Sequence, residues 1–193
     1  FIALLRPLVD AGIVPAAMPV SASSISGYSG GGRKMIEQYQ RGGDPALTAP
    51  RAYGLALKHK HLPEMQQHTG LQSTPLFMPI VGNFYKGLAV SVPLHLSQLA
   101  PGQDGRTIHR AFAQRYEGER FIRVMPLSDP ATLEHGFFAV MGANDSNRVD
   151  VFVFANQSQA LLMARLDNLG KGASGAAVQA MNVHLGVDEG LGL

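Results

Sequence analysis

The 193-residue sequence contains no cysteine. That absence excludes a disulfide-bonded scaffold, a cysteine-ligated zinc site and a cysteine nucleophile within these residues. The sequence also lacks an uninterrupted apolar stretch of about 18 residues, which argues against a membrane-spanning helix. Charge is nearly balanced, at 16 Lys+Arg against 14 Asp+Glu, and the basic residues form no run. The sequence therefore gives no electrostatic reason to expect a nucleic-acid partner.

The first residues of the chain, FIALL, are apolar, and no basic segment precedes them as it would in a secretory signal peptide. We therefore expect a helix at 1–11 and expect the chain to be a piece of a longer protein. Residues 1–186 should form one domain, followed by a tail at 187–193. The length suits a single hydrophobic core, and no internal repeat or low-complexity segment interrupts it.

The hydrophobic periodicity predicts an α+β fold with a largely antiparallel mixed sheet and helices on one face. Helices are predicted at 1–11, 33–41, 63–70, 107–116 and 172–185, and residues 46–57 are predicted to be irregular. Strands are predicted at 17–25, 76–96 (two strands that turn near Lys86 and Gly87), 121–125, 137–141, 149–154 and 160–166. Turn sequences at 144–147 and 156–158 separate the last three strands by the short distances typical of antiparallel hairpins.

A glycine-rich loop at 27–32 (GYSGGG) follows the first predicted strand and leads into a helix that opens with Arg33 and Lys34. Glycines allow backbone N–H groups to converge on an anion, and the start of a helix adds a favourable dipole. Two cations in a first helical turn oppose that dipole, and a bound phosphate would resolve the conflict. The alternative is a plain strand-to-helix turn with two solvated cations. The spacing matches neither a Walker loop nor a dinucleotide fingerprint.

The segment 59–64 (HKHLPE) has the features of a second helix start. Pro63 suits the first helical position, and Leu62 before it should be extended. A histidine just ahead of a helix feels a positive potential, so its pKa should be lowered and its imidazole could act as a base. His61 lies closer to the helix and is the candidate, whereas His59 is expected to be a solvated loop residue. A metal site with His68 is disfavoured, because no acidic residue stands at ligand spacing.

A third turn, at 166–177 (LDNLGKGASGAA), again connects a strand to a helix through small residues. Glycine and alanine allow a flat ligand or another backbone to come close. Tight packing of the helix on the sheet is the alternative, and the residues alone favour it.

Three segments in this order resemble N-acetyl-γ-glutamyl-phosphate reductases in their shorter bacterial form. They are SSISGYSGGGRK at 23–34, HKHLPEM at 59–65 and LDNLGKGASG at 166–175. Each segment alone is only moderately specific, but the ordered set is specific, and the resemblance extends from Phe1 to about Gly186. The last segment is also similar to aspartate-semialdehyde dehydrogenases.

The resemblance implies an N-terminal Rossmann domain for NADP and a C-terminal domain of the glyceraldehyde-3-phosphate/aspartate-semialdehyde dehydrogenase type. Residues 1–186 would be this second, catalytic and dimerisation domain, and the dinucleotide domain would lie outside the chain. The implied activity is reduction of an acyl phosphate to a semialdehyde by NADPH in arginine biosynthesis. A cytoplasmic homo-oligomer, either a dimer or a tetramer, is expected.

The resemblance also assigns roles to individual residues. His61 would be the acid/base residue, since it occupies the histidine of the family's His-x-Pro-Glu segment. The substrate-binding residues would be Ser26, Gly27, Ser29, Arg33 and Lys34. The residues near the nicotinamide end of the cofactor would be Asn168, Gly170, Lys171 and Gly172. No metal ligand is implied.

The sequence departs from the family pattern because the family's nucleophilic cysteine is absent from these residues. An acyl phosphate reductase of this kind needs that thiol, so the chain alone should be inactive. Two alternatives stay open: an enzyme similar to aspartate-semialdehyde dehydrogenase, and a non-catalytic domain that binds anions or assembles with other subunits.

Overall fold

A computed structural model describes all 193 residues. Seven strands form one mixed sheet in the order β2-β3-β1-β4-β7-β6-β5. The strands are β1 (Ser21–Gly27), β2 (Arg51–Ala52), β3 (Leu76–Gly82), β4 (Leu88–His95), β5 (Ile122–Val124), β6 (Val149–Ala155) and β7 (Gln159–Leu166). The helices are α1 (Ile2–Asp10), α2 (Gly32–Arg41), α3 (Leu62–Thr69), α4 (Gly105–Arg115) and α5 (Gly175–Leu185). Pairing is parallel for β1–β3 and β5–β6 and antiparallel elsewhere, which confirms the predicted fold class.

The main core lies between one face of the sheet and helices α1, α3 and α4. Helix α1 contributes Leu4, Leu5 and Leu8, and helix α4 contributes Ile108 and Phe112, all of which are fully buried. These spacings place the apolar residues of each helix on one stripe. None of the five helices has the length and apolar character needed to cross a membrane.

Helix α1 contains a proline in its interior, at Pro7. Proline has no N–H, so the carbonyl oxygen of Ala3, four residues earlier, loses its helical partner. The phenolic hydroxyl of Tyr116 donates to that oxygen at 2.7 Å. Tyr116, just past the end of α4, thereby replaces the missing donor, and α1 continues to Asp10.

The two strands predicted at 76–96 exist, but they do not form a hairpin. Strand β1 lies between β3 and β4, parallel to the first and antiparallel to the second. Ser26 of β1 is therefore flanked by Val81 on one side and Leu88 on the other. The turn sequence near Lys86 correctly indicated the connection between β3 and β4. It could not show that β1 lies between these two strands in the sheet.

Several other sequence predictions are corrected by the structure. Strand β1 begins at Ser21, because residues 15–18 form a turn closed by the Met18 N–H on the Pro15 carbonyl. A short strand, β2, lies in the segment predicted to be irregular. A π-helical turn at Gly170–Ser174 precedes α5, so the last helix begins at Gly175.

Residues 137–141, predicted as a strand, lie in a loop that packs against the sheet face opposite the helices. Phe138 contacts Phe152 with ring centroids 4.9 Å apart. Asp150, which is fully buried, pairs with Arg165 directly opposite it on β7, and the guanidinium of Arg165 donates to the Ala139 carbonyl. Residues 138–140 are partly buried by this packing, whereas Phe137 and Met141 are exposed, so the apolar pattern of the segment does not mark a strand of the sheet.

Candidate functional site

The site lies at one edge of the sheet, where the segments that follow three strands meet. Strands β1 and β3 run parallel and end side by side, with Gly27 opposite Gly82. Strand β7 runs antiparallel to β4 and ends at Leu166, opposite Leu88. Parallel neighbours end at the same edge of a sheet, and an antiparallel neighbour begins there. The loops after β1, β3 and β7 are therefore brought together by strand order.

A cavity of about 700 Å³ opens at this edge. Its lining includes most of the glycine loop, the 59–61 segment, and Asn168 with Gly172 from the third turn. It is also lined by Tyr53 and Phe77, which belong to none of the three motifs, and by Glu64 of the helix-start segment. No sequence signal pointed to Tyr53 and Phe77.

The glycine loop is held against the connection between β3 and β4. The backbone N–H groups of Tyr28 and Ser29 donate to the carbonyls of Phe84 and Tyr85, at 2.9 and 3.0 Å. A Cβ atom on Gly27 would lie 2.5 Å from the Tyr85 carbonyl oxygen, so only glycine fits there. Gly32 has a φ of +74°, a left-handed value that glycine adopts without strain. The loop is a 3-10 turn that leads directly into α2.

Arg33 and Lys34 occupy the first turn of α2, which contains no acidic residue. Both side chains are exposed, and neither forms a hydrogen bond or an ion pair within the chain. They follow Gly30, Gly31 and Gly32 of the cavity rim but do not line the cavity themselves. Of the five predicted substrate-binding residues, the structure thus brings Ser26, Gly27 and Ser29 into the cavity.

His61 stands immediately before α3, and its exposed ring forms no hydrogen bond within the chain. Leu62 is the first helical residue and Pro63 the second, so the extended geometry predicted for Leu62 is wrong. Leu62 is buried in the main core, and this burial outweighs the restriction that the following proline imposes. Glu64 lies in the first turn, and Gly70 ends the helix with a left-handed conformation.

His59 is not the solvated loop residue that the sequence indicated. Its ring is half-buried among the rings of Tyr53, His61 and Phe77, with centroids 5.0–5.9 Å away. Its Nδ1 accepts the backbone N–H of His61 at 3.3 Å. Burial, followed by the nearby charges of His61 and Lys60, lowers the pKa of His59 below its usual value. His59 thus contacts both the backbone and the ring of His61.

The third turn divides into residues that face the cavity and residues that do not. Asn168 and Gly172 line it. Gly170 donates its backbone N–H to the carboxylate of Asp167. The ammonium group of Lys171 binds the side chain of Gln179 and lies 5.4 Å above the Phe121 ring, away from the cavity. Of the four predicted cofactor residues, two are thus at the cavity.

Asp167 anchors this turn. Its carboxylate accepts backbone N–H groups from Asp145, Leu169 and Gly170, and it lies 3.3 Å from the Lys86 ammonium. Burial by itself would raise the pKa of this carboxyl, but these donors outweigh it and hold the pKa below its usual value. The ionised side chain of Asp167 thus holds the loop after β7 against the connection between β3 and β4.

Comparison with known proteins agrees with this architecture. A family model described as "Semialdehyde dehydrogenase, dimerisation domain" matches residues 1–168. The chain is 48% identical to N-acetyl-gamma-glutamyl-phosphate reductase 2 of Nostoc sp., over 100% of this chain and 62% of that protein. It is 47% identical to N-acetyl-gamma-glutamyl-phosphate reductase of Rhizobium etli, over 95% of this chain and 60% of that protein. The chain thus spans about 60% of the length of these relatives.

Among solved structures, aspartate semialdehyde dehydrogenase from Francisella tularensis superposes with a TM-score of 0.68 and 11% identity, over 95% of this chain and 61% of that one. At this identity the likeness concerns the fold alone. The resemblance read from the three sequence segments is confirmed by the curated relatives, which are reductases of that name. The family match over 1–168 and the mixed sheet place this chain in the semialdehyde dehydrogenase dimerisation-domain family.

Proposed function

We propose that this chain is the substrate-binding and oligomerisation part of a reductase that converts N-acetyl-γ-glutamyl phosphate to N-acetylglutamate semialdehyde with NADPH, in arginine biosynthesis. The observation that carries the proposal is the cavity in which Ser26, Ser29, His61 and Asn168, from three separate segments, meet. The names of the curated relatives support the choice of substrate. The proposal includes a cytoplasmic location, where the substrate and NADPH would be available.

The glycine loop and the start of α2 would bind the anionic groups of the substrate. Ser26 and Ser29 offer hydroxyl groups at the cavity, and Gly27 lets the loop lie close to the 83–87 connection. Arg33 and Lys34 follow the cavity rim and have no acidic partner in the chain. Their charges would attract a phosphate or carboxylate, since charge-assisted hydrogen bonds are the stronger ones.

His61 would act as the acid/base residue. Its ring is exposed at the cavity and free of hydrogen bonds within the chain, so a ring nitrogen is available to give a proton to the carbonyl oxygen of the substrate. The contact with His59 limits the positions that the ring can take. A neutral His59, whose pKa is lowered, would avoid repelling the protonated form of His61.

NADPH, when bound, would supply the hydride. Gly172 fits one end of such a cofactor, because it lines the cavity beside Leu169 and Ala173, in a stretch of small residues that can admit a flat ring. Gly170 and Lys171 would support the turn from outside, through Asp167 and Gln179. The remaining contacts would come from a dinucleotide-binding domain, and the thiol that the reaction needs would come from the start of the catalytic domain, both outside these residues.

The part of the sheet face that the 137–141 loop leaves uncovered would form the contact between subunits. Pro93, Leu161 and Phe154 lie in one row across β4, β7 and β6, on the face opposite the main core. Leu161 is 37% exposed, although its neighbour Leu162 is fully buried. We expect Leu161→Arg to shift the protein to a smaller species in sedimentation velocity, whereas Leu55→Arg, in an exposed loop off the sheet, should not. An unchanged species with Leu161→Arg would contradict this assignment of the face.

The test of the reaction compares the complete gene product with residues 1–193 alone. We expect the complete product to oxidise NADPH with N-acetyl-γ-glutamyl phosphate and the 193-residue chain to be inactive, because it has no cysteine. A preference for aspartyl phosphate would instead favour an enzyme similar to aspartate-semialdehyde dehydrogenase. Phosphate binding without turnover of either acyl phosphate would favour the non-catalytic alternative. Turnover by the 193-residue chain would contradict the need for a thiol.

A further inference from the structure

The side chain of Asn168 is fixed in one orientation by two hydrogen bonds. Its Oδ1 accepts the backbone N–H of Gly87 at 2.7 Å, and its Nδ2 donates to the Oγ of Ser29, 139 residues away in sequence, at 3.0 Å. A backbone N–H can only donate, so the atom that faces Gly87 must be the amide oxygen. The amide nitrogen must therefore face Ser29, and chemistry alone sets the direction of both bonds.

This arrangement decides that the Ser29 hydroxyl accepts a hydrogen bond from Asn168 and keeps its own proton for another partner. Its oxygen accepts from Asn168, and its own proton has no acceptor within the chain. The backbone N–H of Ser29 is bound to the Tyr85 carbonyl at 3.0 Å, so the residue cannot turn easily. Ser29 is only 5% exposed, yet it lines the cavity. Ser29 is thus a nearly buried residue at the cavity whose O–H has no acceptor within the chain, and leaving such a donor without a partner is costly.

A second hydroxyl lies beside it. A Cβ atom on Gly30 would be 3.7 Å from the amide nitrogen of Asn168 and 3.8 Å from the Oγ of Ser26. The Ser26 hydroxyl forms no bond within the chain. The Ser26 hydroxyl and the Asn168 amide nitrogen, which is bonded to Ser29, therefore lie beside the same space next to Gly30. Donors that converge in this way fit an anionic oxygen.

From this geometry we infer that Asn168 is a positioning residue for the substrate and not a direct ligand of the dinucleotide. Its amide turns the Ser29 hydroxyl proton toward an anionic oxygen of the substrate. This inference rests on the proposed function and adds to it. The oxygen belongs to a phosphoryl or a carboxylate group, which offer the same chemistry to a hydroxyl donor, and the experiment separates the two.

The experiment uses the complete gene product and the reverse reaction, in which semialdehyde, phosphate and NADP⁺ give the acyl phosphate, NADPH and a proton. Ser29→Ala, Asn168→Ala and the double variant are compared. We expect both single variants to raise one KM, for phosphate or for semialdehyde, by about 10- to 100-fold. The double variant should show no further increase, because Asn168 acts only through the Ser29 hydroxyl, which Ser29→Ala removes. The KM for NADP⁺ should be unchanged, and the KM that rises identifies the oxygen.

A second variant of Asn168 keeps the inference testable if Asn168→Ala fails to fold. Asn168→Asp keeps an acceptor for Gly87, but its second oxygen would accept the Ser29 proton and turn it away from the cavity. We expect the same KM to rise at least as much as in Ser29→Ala. Asn156→Asp, in the turn between β6 and β7, is the matched control for the added charge and should leave the KM values unchanged.

Calorimetric affinities for inorganic phosphate and N-acetylglutamate give a readout that does not need turnover. The complete product could be inactive while the affinity for one probe falls in both single variants and no further in the double variant. In that case the proposed reaction is wrong, but the role of Asn168 as a positioning residue stands. Additive losses, a rise in the KM for NADP⁺ alone, or affinities and KM values equal to those of the unmodified protein would each overturn the inference.

Discussion

The hydroxyl of Tyr116 donates to the carbonyl oxygen of Ala3 at 2.7 Å, in the place of the N–H that Pro7 lacks. Burial raises the pKa of Tyr116 to about 12, so the folded protein favours the neutral phenol. We expect Tyr116→Phe to lower the free energy of unfolding by about 1–3 kcal/mol, because the part-buried carbonyl of Ala3 loses its donor.

This contribution has a defined pH dependence. The folded pKa lies above the unfolded value of about 10, so the stabilisation is complete below pH 10 and is lost as the pH rises toward 12. Urea unfolding at several pH values should show the difference between the two proteins shrinking across this range. Tyr85→Phe is the control, since the Tyr85 hydroxyl has no hydrogen bond within the chain. A difference that stays constant up to pH 12 would contradict the assignment.

Two glycines of the same loop differ in the space around them, which allows a matched test. A Cβ atom on Gly27 would meet backbone atoms at 2.5–2.7 Å, whereas one on Gly30 would meet its nearest neighbours at 3.7 and 3.8 Å. We expect Gly27→Ala to cost about 1–3 kcal/mol of unfolding free energy and Gly30→Ala to cost much less. Equal values from urea denaturation would mean that the loop does not pack closely on the 83–87 connection.

His61→Asn should lower kcat of the complete gene product by about 10²- to 10⁴-fold, the usual contribution of a general acid/base. His59→Asn should have a smaller effect, since His59 acts through its contacts with the backbone and ring of His61. Steady-state kinetics of both variants, with circular dichroism to verify folding, would decide. The assignment fails if the two losses are equal or if His61→Asn retains full activity.

Arg33→Ala should raise the KM for the acyl phosphate, and Arg33→Lys should restore it only in part, because a point charge replaces a planar donor. Arg41→Ala is the control, as Arg41 lies in the last turn of the same helix and is exposed. If Arg33→Ala and Arg41→Ala give the same KM as the unmodified enzyme, then Arg33 is simply a solvated cation at the start of α2.

Much of the secondary structure was predictable, because its signals are local. The apolar stripe of α1, the glycines before α2, and Gly70 at the end of α3 each act within a few residues, and the structure places these elements close to the predicted positions. Predictions were wrong where a local signal competed with burial. Leu62 is helical despite Pro63, because it is buried in the main core, and Phe138 packs its ring on Phe152 from a loop and not from a strand.

The sequence by itself determined which segments could form the site, since Ser29, His61 and Asn168 all lie in motifs that can be read from neighbouring residues. Only the tertiary structure decided what these residues do to one another. Insertion of β1 between β3 and β4 places the Ser29 loop against Gly87, and the end of β7 then sets Asn168 between them. Such contacts join residues far apart in the chain, and their energy depends on strand order, which no local propensity encodes.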